Sequence, residues 1–364
     1  LEFRRVLFRS GFVPLAGHAQ SYNCDVNGDG EVDILDVMIV VDKVLNSPAN
    51  SQRKLKFHVS EEPYTTETGE ARQAARRAPE VTTSTLTQFY INLMFDDDGF
   101  PDMSDGSMTY ITESGYYQNE ATWPVNAKQN TPVTVYAYHN NEQSCYLDDD
   151  DAPYLRVELE ENSSEQSDVL VASETKTWNE SKGEIYLKFH HACAAAQFSI
   201  KKSAQMAAKG YNVDVNQVVL HNIIKTGDYM LSDFTWKLPE AKANTVTNFT
   251  LNAYEDGEKA NSITLTTDAT LMAKDANDYL FLLPTNIISA SGNFGAATAG
   301  ESYMEIKCKI YDESNNFKVG SADGFGSVYL PFSYDLSGYK GKIKSFVINL
   351  GTSIRDISGN KIDL

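Results

Sequence analysis

From about Thr83 to the C-terminus, apolar and polar residues alternate in short runs. Phe89, Ile91, Leu93 and Phe95 alternate with Gln88, Tyr90, Asn92 and Met94; Val133, Val135 and Ala137 alternate with Thr134, Tyr136 and Tyr138. Ile185, Leu187 and Phe189 repeat the pattern, as do Phe346, Ile348 and Leu350. A period of two sends successive side chains to opposite faces of a strand. Runs of this kind, split by Gly, Asn, Asp and Pro, predict antiparallel sheets with one buried face. Tyr279-Leu280-Phe281-Leu282-Leu283 is apolar throughout and predicts a short strand buried on both faces.

One stretch changes phase. Between Ile185 and Phe189 the odd positions are apolar; in Ala194-Ala195-Ala196-Gln197-Phe198-Ser199-Ile200 the even ones are. A slip of one residue turns every side chain over, so a bulge or bend is expected near His191 to Cys193, with Phe189 and Phe198 both buried. Helical periodicity is scarce. It is clear in residues 33–46, and Ser203 to Lys209 suit one or two turns.

These patterns divide the 364-residue chain. Residues 1–10, LEFRRVLFRS, read as translated sequencing adapter, and residues 11–20 as the tail of a signal peptide, cut after Ala19. Residues 21–47 form a compact loop and helix. Residues 48–80 are polar, basic and proline-bearing, and read as a linker or propeptide with one strand at Leu55-Lys56-Phe57-His58-Val59. Residues 81–180 and 181–364 are expected to form two β-sandwiches. The fold class is therefore mainly β, two tandem antiparallel sandwiches behind a short N-terminal unit.

The formal net charge of −19 repels nucleic acid phosphates and anionic lipid, which argues against both as partners. No stretch of 18 uninterrupted apolar residues is present, so no membrane span is expected. The four cysteines, Cys24, Cys145, Cys193 and Cys308, match no zinc spacing. Cys308 is in phase with Met304, Ile306 and Ile310, which predicts a buried free thiol. There is no G-x-S-x-G, H-E-x-x-H or phosphate loop. His190 and His191 are adjacent on a strand and point to opposite faces, so they do not share a metal. No catalytic residue is assigned, and the chain is read as a non-enzyme.

The sharpest local motif is Asp25-Val26-Asn27-Gly28-Asp29-Gly30-Glu31-Val32-Asp33-Ile34-Leu35-Asp36. Oxygen side chains fall at loop positions 1, 3, 5, 9 and 12, with Gly30 at position 6 for the sharp turn. The expected calcium ligands are Asp25, Asn27, Asp29, Glu31 through its backbone carbonyl, Asp33 and Asp36. Asp at position 12 resembles dockerin repeats. A dockerin carries two repeats and this chain shows one, so cohesin binding is not expected.

From about residue 83, the chain resembles the fimbrillin (Mfa-like) proteins of Gram-negative gut and oral bacteria. The resemblance rests on Ala121-Thr122-Trp123-Pro124 with Val133-Thr134-Val135-Tyr136-Ala137-Tyr138, and on Leu187-Lys188-Phe189-His190-His191-Ala192-Cys193-Ala194. Gly227-Asp228-Tyr229 with Trp236, Tyr279-Leu280-Phe281-Leu282-Leu283-Pro284, and Phe346-Val347-Ile348-Asn349-Leu350-Gly351 extend it in the same order. Two departures stand out. No lipobox precedes Cys24, and Tyr339-Lys340-Gly341-Lys342-Ile343-Lys344 replaces the common W-x-x-G-K-x-Y form. The resemblance implies two transthyretin-like sandwiches and a cell-surface pilus or adhesion subunit. It also implies assembly into homo-polymers or with other pilus subunits, by strand donation once a protease removes an N-terminal segment. Arg76-Arg77 is the candidate processing site, and residues 55–59 are expected at a sheet edge before the cut. The alternative is a secreted carbohydrate- or protein-binding module, with a glycan or host ligand, displayed through the dockerin-like element. Such a module needs an exposed aromatic row, for which Tyr136, Tyr138 and Tyr90 are the candidates, though these tyrosines could equally be packed under loops.

Overall fold

The computed structural model describes residues 54–66, 86–96, 101–103, 107–111, 117–124, 127–139, 145–276 and 278–364. The protein is mainly β. Its strands, in chain order, begin with β1 (Lys54–Glu61), β2 (Gln88–Asp96), β3 (Pro101–Met103), β4 (Ser107–Ile111), β5 (Tyr117–Thr122), β6 (Val133–His139), β7 (Cys145–Leu147), β8 (Pro153–Glu158) and β9 (Leu170–Lys176). Next come β10 (Glu184–His191), β11 (Ala194–Lys202), β12 (Asn212–Ile224), β13 (Thr226–Met230), β14 (Thr235–Lys237), β15 (Val246–Asn252), β16 (Tyr254–Glu255), β17 (Glu258–Lys259), β18 (Ile263–Thr264) and β19 (Thr270–Leu271). The last are β20 (Leu280–Leu282), β21 (Asn286–Ser289), β22 (Glu301–Tyr311), β23 (Phe317–Val319), β24 (Gly326–Pro331), β25 (Tyr334–Asp335) and β26 (Ile343–Leu350). Among the described residues, two short α-helices, α1 (Trp178–Ser181) and α2 (Ala204–Ala208), interrupt them.

The first sheet runs β3-β2-β4-β5-β1-β10-β9-β6, and β6 pairs back onto β2. It therefore closes on itself, which removes the free edges that an open sheet would present. Its interior is apolar. Leu55, Phe57, Phe89, Ile91, Leu93, Val133, Val135, Ala137, Ile185, Leu187 and Phe189 form one buried cluster. These are the apolar positions of the alternating runs. The remaining sheets are β15-β12-β22-β21-β25 with β18, β23 and β24 attached, β19-β11-β20 with β26 on β11, β14-β13-β8-β7, and the β16-β17 hairpin. A second, larger cluster fills the space among them. The strand β8, before the expected boundary at residue 180, pairs with β13, and β10, after it, lies in the first sheet.

The outer side of β6 and β9 is covered as well. Tyr136, Tyr138 and Val171 belong to the larger cluster together with Leu155, Val157 and Tyr229 of β8 and β13. Tyr138 has no exposed surface and Tyr136 very little, and the Tyr90 ring stacks on Tyr138 at 5.8 Å. The exposed aromatic row considered for a sugar-binding module is thus absent at these tyrosines. A second sheet packs over the face that the alternation alone assigned to solvent.

The expected phase change is present. β10 ends at His191, residues Ala192 and Cys193 are buried between sheets, and β11 begins at Ala194. Phe189 faces the first core and Phe198 the second, and both are buried. The bend is where the chain passes from one sheet to the other, so the slip re-aims the strand into a new core. Residues 279–283 are buried throughout, as expected, around β20. The turn at residues 203–209 is α2, with Ser203 accepting from the Met206 N–H as N-cap.

Candidate functional site

The first sheet is completed by a strand from outside the run of residues that builds the rest of it. β1 lies parallel to β10, from Lys56 opposite Glu184 to Glu61 opposite Phe189. On its other side it is antiparallel to β5. It was expected at a sheet edge, and instead it has partners on both sides. The sequence pattern leaves that open, because alternation reports which face is buried and not which edges are paired. Leu55 and Phe57 are fully buried, and Phe57 meets Phe89 edge-on with ring centroids 6.0 Å apart. Burying the two side chains contributes about 1.5–3 kcal/mol each.

The entry to this slot depends on one glycine. α1 is closed at its start by a capping box between Thr177 and Glu180, and ends in Lys182 and Gly183, both at positive φ. A Cβ at Gly183 would stand 2.6 Å from the Lys54 carbonyl oxygen. The Gly183 carbonyl accepts from the Lys56 N–H at 2.8 Å. Glycine there both supplies φ +91° and lets the β1 backbone come close.

Beyond β1, residues 61–65 hold on to both cores. The Glu62 N–H donates to the Phe189 carbonyl at 2.9 Å. Its carboxylate accepts from Lys188 Nζ at 3.1 Å and bonds His190 Nδ1. These hydrogen bonds, that from His190 first, hold the Glu62 carboxyl below its ordinary value. Tyr64 is fully buried; its hydroxyl donates to Asp168 Oδ1 at 3.0 Å, and its ring stacks on His191 at 3.8 Å. His191 Nδ1 bonds Asp168 Oδ2 at 2.8 Å, while Nε2 stands 3.4 Å from Glu61 Oε1. Thr65 then pairs with the chain just before β26: its N–H donates to the Gly341 carbonyl at 3.1 Å, and its carbonyl accepts from the Ile343 N–H at 2.8 Å. A cavity of about 460 Å³ opens beside this stretch, between Glu62, His190, Asp233 and Lys340.

The expected calcium ligands Asp25, Asn27, Asp29, Glu31, Asp33 and Asp36 lie outside the described residues, as do Arg76 and Arg77. His190 and His191 face opposite ways, as the strand geometry requires, and neither is part of a metal-ligating cluster among the described residues. Cys193 and Cys308 are free, buried thiols. Burial pushes the Cys308 thiol up to about 12, and that of Cys193 well above its ordinary value, so both stay protonated and inert. The residues that sequence reasoning missed are Asp168, Tyr64 and the role of His191. Asp168 is 104 residues from Tyr64 in the chain, and no local pattern joins them.

Residues 81–322 match the family described as fimbrillin-like, and the chain belongs to that family. Its fold resembles a fimbrial protein from Bacteroides vulgatus at 16% identity and a TM-score of 0.51, over 82% of this chain and 95% of that one. A candidate cell adhesion protein from Parabacteroides distasonis is similar at 10% identity and a TM-score of 0.48, over 84% of this chain and 91% of that one. No curated protein sequence matches the chain. No helix among the described residues is long and apolar enough to cross a membrane.

Proposed function

We propose that the protein is a cell-surface structural subunit of the fimbrial or adhesion type, which joins its neighbours by exchange of the β1 strand after cleavage at Arg76-Arg77. The observation that carries this reading is the placement of β1. It fills a gap between β5 and β10 with backbone bonds on both sides, yet it precedes residues 81–322, the part that matches the family. Its loss leaves the rest of the chain continuous and opens a strand-shaped slot, which a strand from a neighbouring subunit refills by β-augmentation. Limited trypsin digestion at low ratio is expected to cut first at Arg76-Arg77. The product is expected to form ladders on a gel that withstand mild detergent. A cut chain that stays monomeric sinks strand exchange from this end.

The second element of the proposal is calcium binding in the N-terminal loop, supported by the oxygen spacing from Asp25 to Asp36. Calorimetry on a chain starting at Gln20 should show one site, abolished by Asp25→Ala with Asp36→Ala. Unchanged affinity in the double variant removes the assignment. The alternative of a sugar-binding module loses its support at the buried Tyr136 and Tyr138.

A further inference from the structure

Whatever occupies the slot after β1 leaves has more to satisfy than two apolar pockets. Tyr64 ends in the larger core, among Phe281, Tyr279 and His191. The group it reaches, Asp168, has no exposed surface, and His191 almost none. Asp168 takes one hydrogen bond on each carboxylate oxygen, from Tyr64 at 3.0 Å and from His191 at 2.8 Å. His191 and Asp168 belong to β10 and the stretch before β9, so both stay behind when the N-terminal segment goes. A buried carboxylate that loses one of its two donors keeps its desolvation cost with only part of the compensation. An entering strand that offers only apolar anchors would leave Asp168 in that condition.

We infer that the slot selects its partner by an aromatic hydroxyl, and that the occupant is an extended strand of a neighbouring subunit with two apolar residues spaced as Leu55 and Phe57 and a tyrosine seven positions after the second. The inference rests on the strand-exchange reading above and adds a specificity rule to it. The apolar pair fills the first core. The tyrosine crosses to the second core, where its ring covers His191 and its hydroxyl completes the Asp168 carboxylate. Backbone bonds at the Thr65 position then tie the occupant to the start of β26. The polar contact supplies discrimination that the apolar anchors lack. A pocket built to accept a hydroxyl rejects its hydrogen counterpart more strongly than an apolar pocket rejects a lost methylene.

The test uses the full chain cut at Arg76-Arg77 with both pieces kept together. Fluorescein-labelled synthetic peptides of residues 53–66 compete with the resident segment at equilibrium, in native form, as Tyr64→Phe and as Phe57→Ala. The native peptide is expected to enter, and the Tyr64→Phe peptide to compete about tenfold less well or worse, the worth of one hydrogen bond to a buried charge. The Phe57→Ala peptide is expected to fail through the first core. Equal entry of the native and Tyr64→Phe peptides, with Phe57→Ala excluded, overturns the hydroxyl rule and leaves strand exchange standing. Exclusion of all three peptides overturns strand exchange itself, and the rule with it.

Discussion

Two strands reach the middle of the chain from its opposite ends. β1 lies parallel to β10, and β26 lies parallel to β11, so consecutive strands each take a partner from a different end. The two arrangements differ in what surrounds the guest. β1 has β5 on its far side and puts Leu55 and Phe57 into a core with no exposed surface. β26 pairs along its length with β11 alone; on the other side the described contact is the bridge from Thr65 to Lys342. It buries Ile343, Ile348 and Leu350, stacks Phe346 on Phe198 at 4.8 Å, and leaves Val347 58% exposed. Both strands lie outside residues 81–322, the part that matches the family, so either could leave without interrupting it, and β1 is the better embedded of the two. Deep burial and removability coexist because burial is set by packing, and removability by where the strand falls in the sequence.

The largest effect expected from this contrast is at Phe57. Phe57→Ala should cost about 3–5 kcal/mol, as for a buried aromatic truncated in a packed core. Val347→Ala on β26 should stay within about 0.5 kcal/mol. Denaturant midpoints at constant m-value check both, and equal losses at the two positions break the comparison. Next in size is Asp168→Ala. It leaves Tyr64 and His191 without their shared acceptor inside the larger core, and about 2–4 kcal/mol is expected. The same denaturant series reads it, and a change within experimental error contradicts the coupling between the N-terminal segment and the second core.

The smallest effect is a pH response at Glu62. Its carboxyl is held below the ordinary 4.5 by His190 and Lys188. A carboxyl lowered in the folded state stabilises fully above its unfolded value, and that contribution is lost as pH falls through the folded value. Amide exchange at residues 61–65, corrected for intrinsic rates, should therefore quicken as pH drops from 4.5 downwards, while β26 is unmoved. Glu62→Gln should erase the response. Glu62 is half exposed, so its contribution to overall stability is small.

Much of this fold is legible in the sequence. The alternating runs name the buried faces of β2, β6, β10 and β26, and the slip after Phe189 marks the passage from β10 to β11. The continuous apolar run names β20. These signals are local, and side-chain period alone carries them. The pairing of β1 with β5 and β10 was not legible, because a strand of alternating residues looks the same at an edge and inside a sheet. The face of the β6 tyrosines shares the same uncertainty, which the second layer from β8 and β13 resolves by covering them. The contact of Tyr64 with Asp168 lies furthest out of reach: a lone tyrosine after a proline and a lone aspartate before a valine carry no motif. The calcium loop is the sharpest motif in the sequence, and it and Arg76-Arg77 lie outside the described residues.

The parallel register of β1 has a mechanical consequence. Six consecutive residues, Lys56 to Glu61, face six on β10, and Phe57 and Lys56 also face β5. A tension applied along the strand axis strains this lap joint in shear, with the cross-strand bonds sharing the load at once. A tension applied sideways from one end peels the bonds in succession, and each breaks alone. Any tether attached through a strand in this slot would therefore be stiff to stretching and weak to unzipping. The direction of pull, more than the number of contacts, would set how long the joint survives.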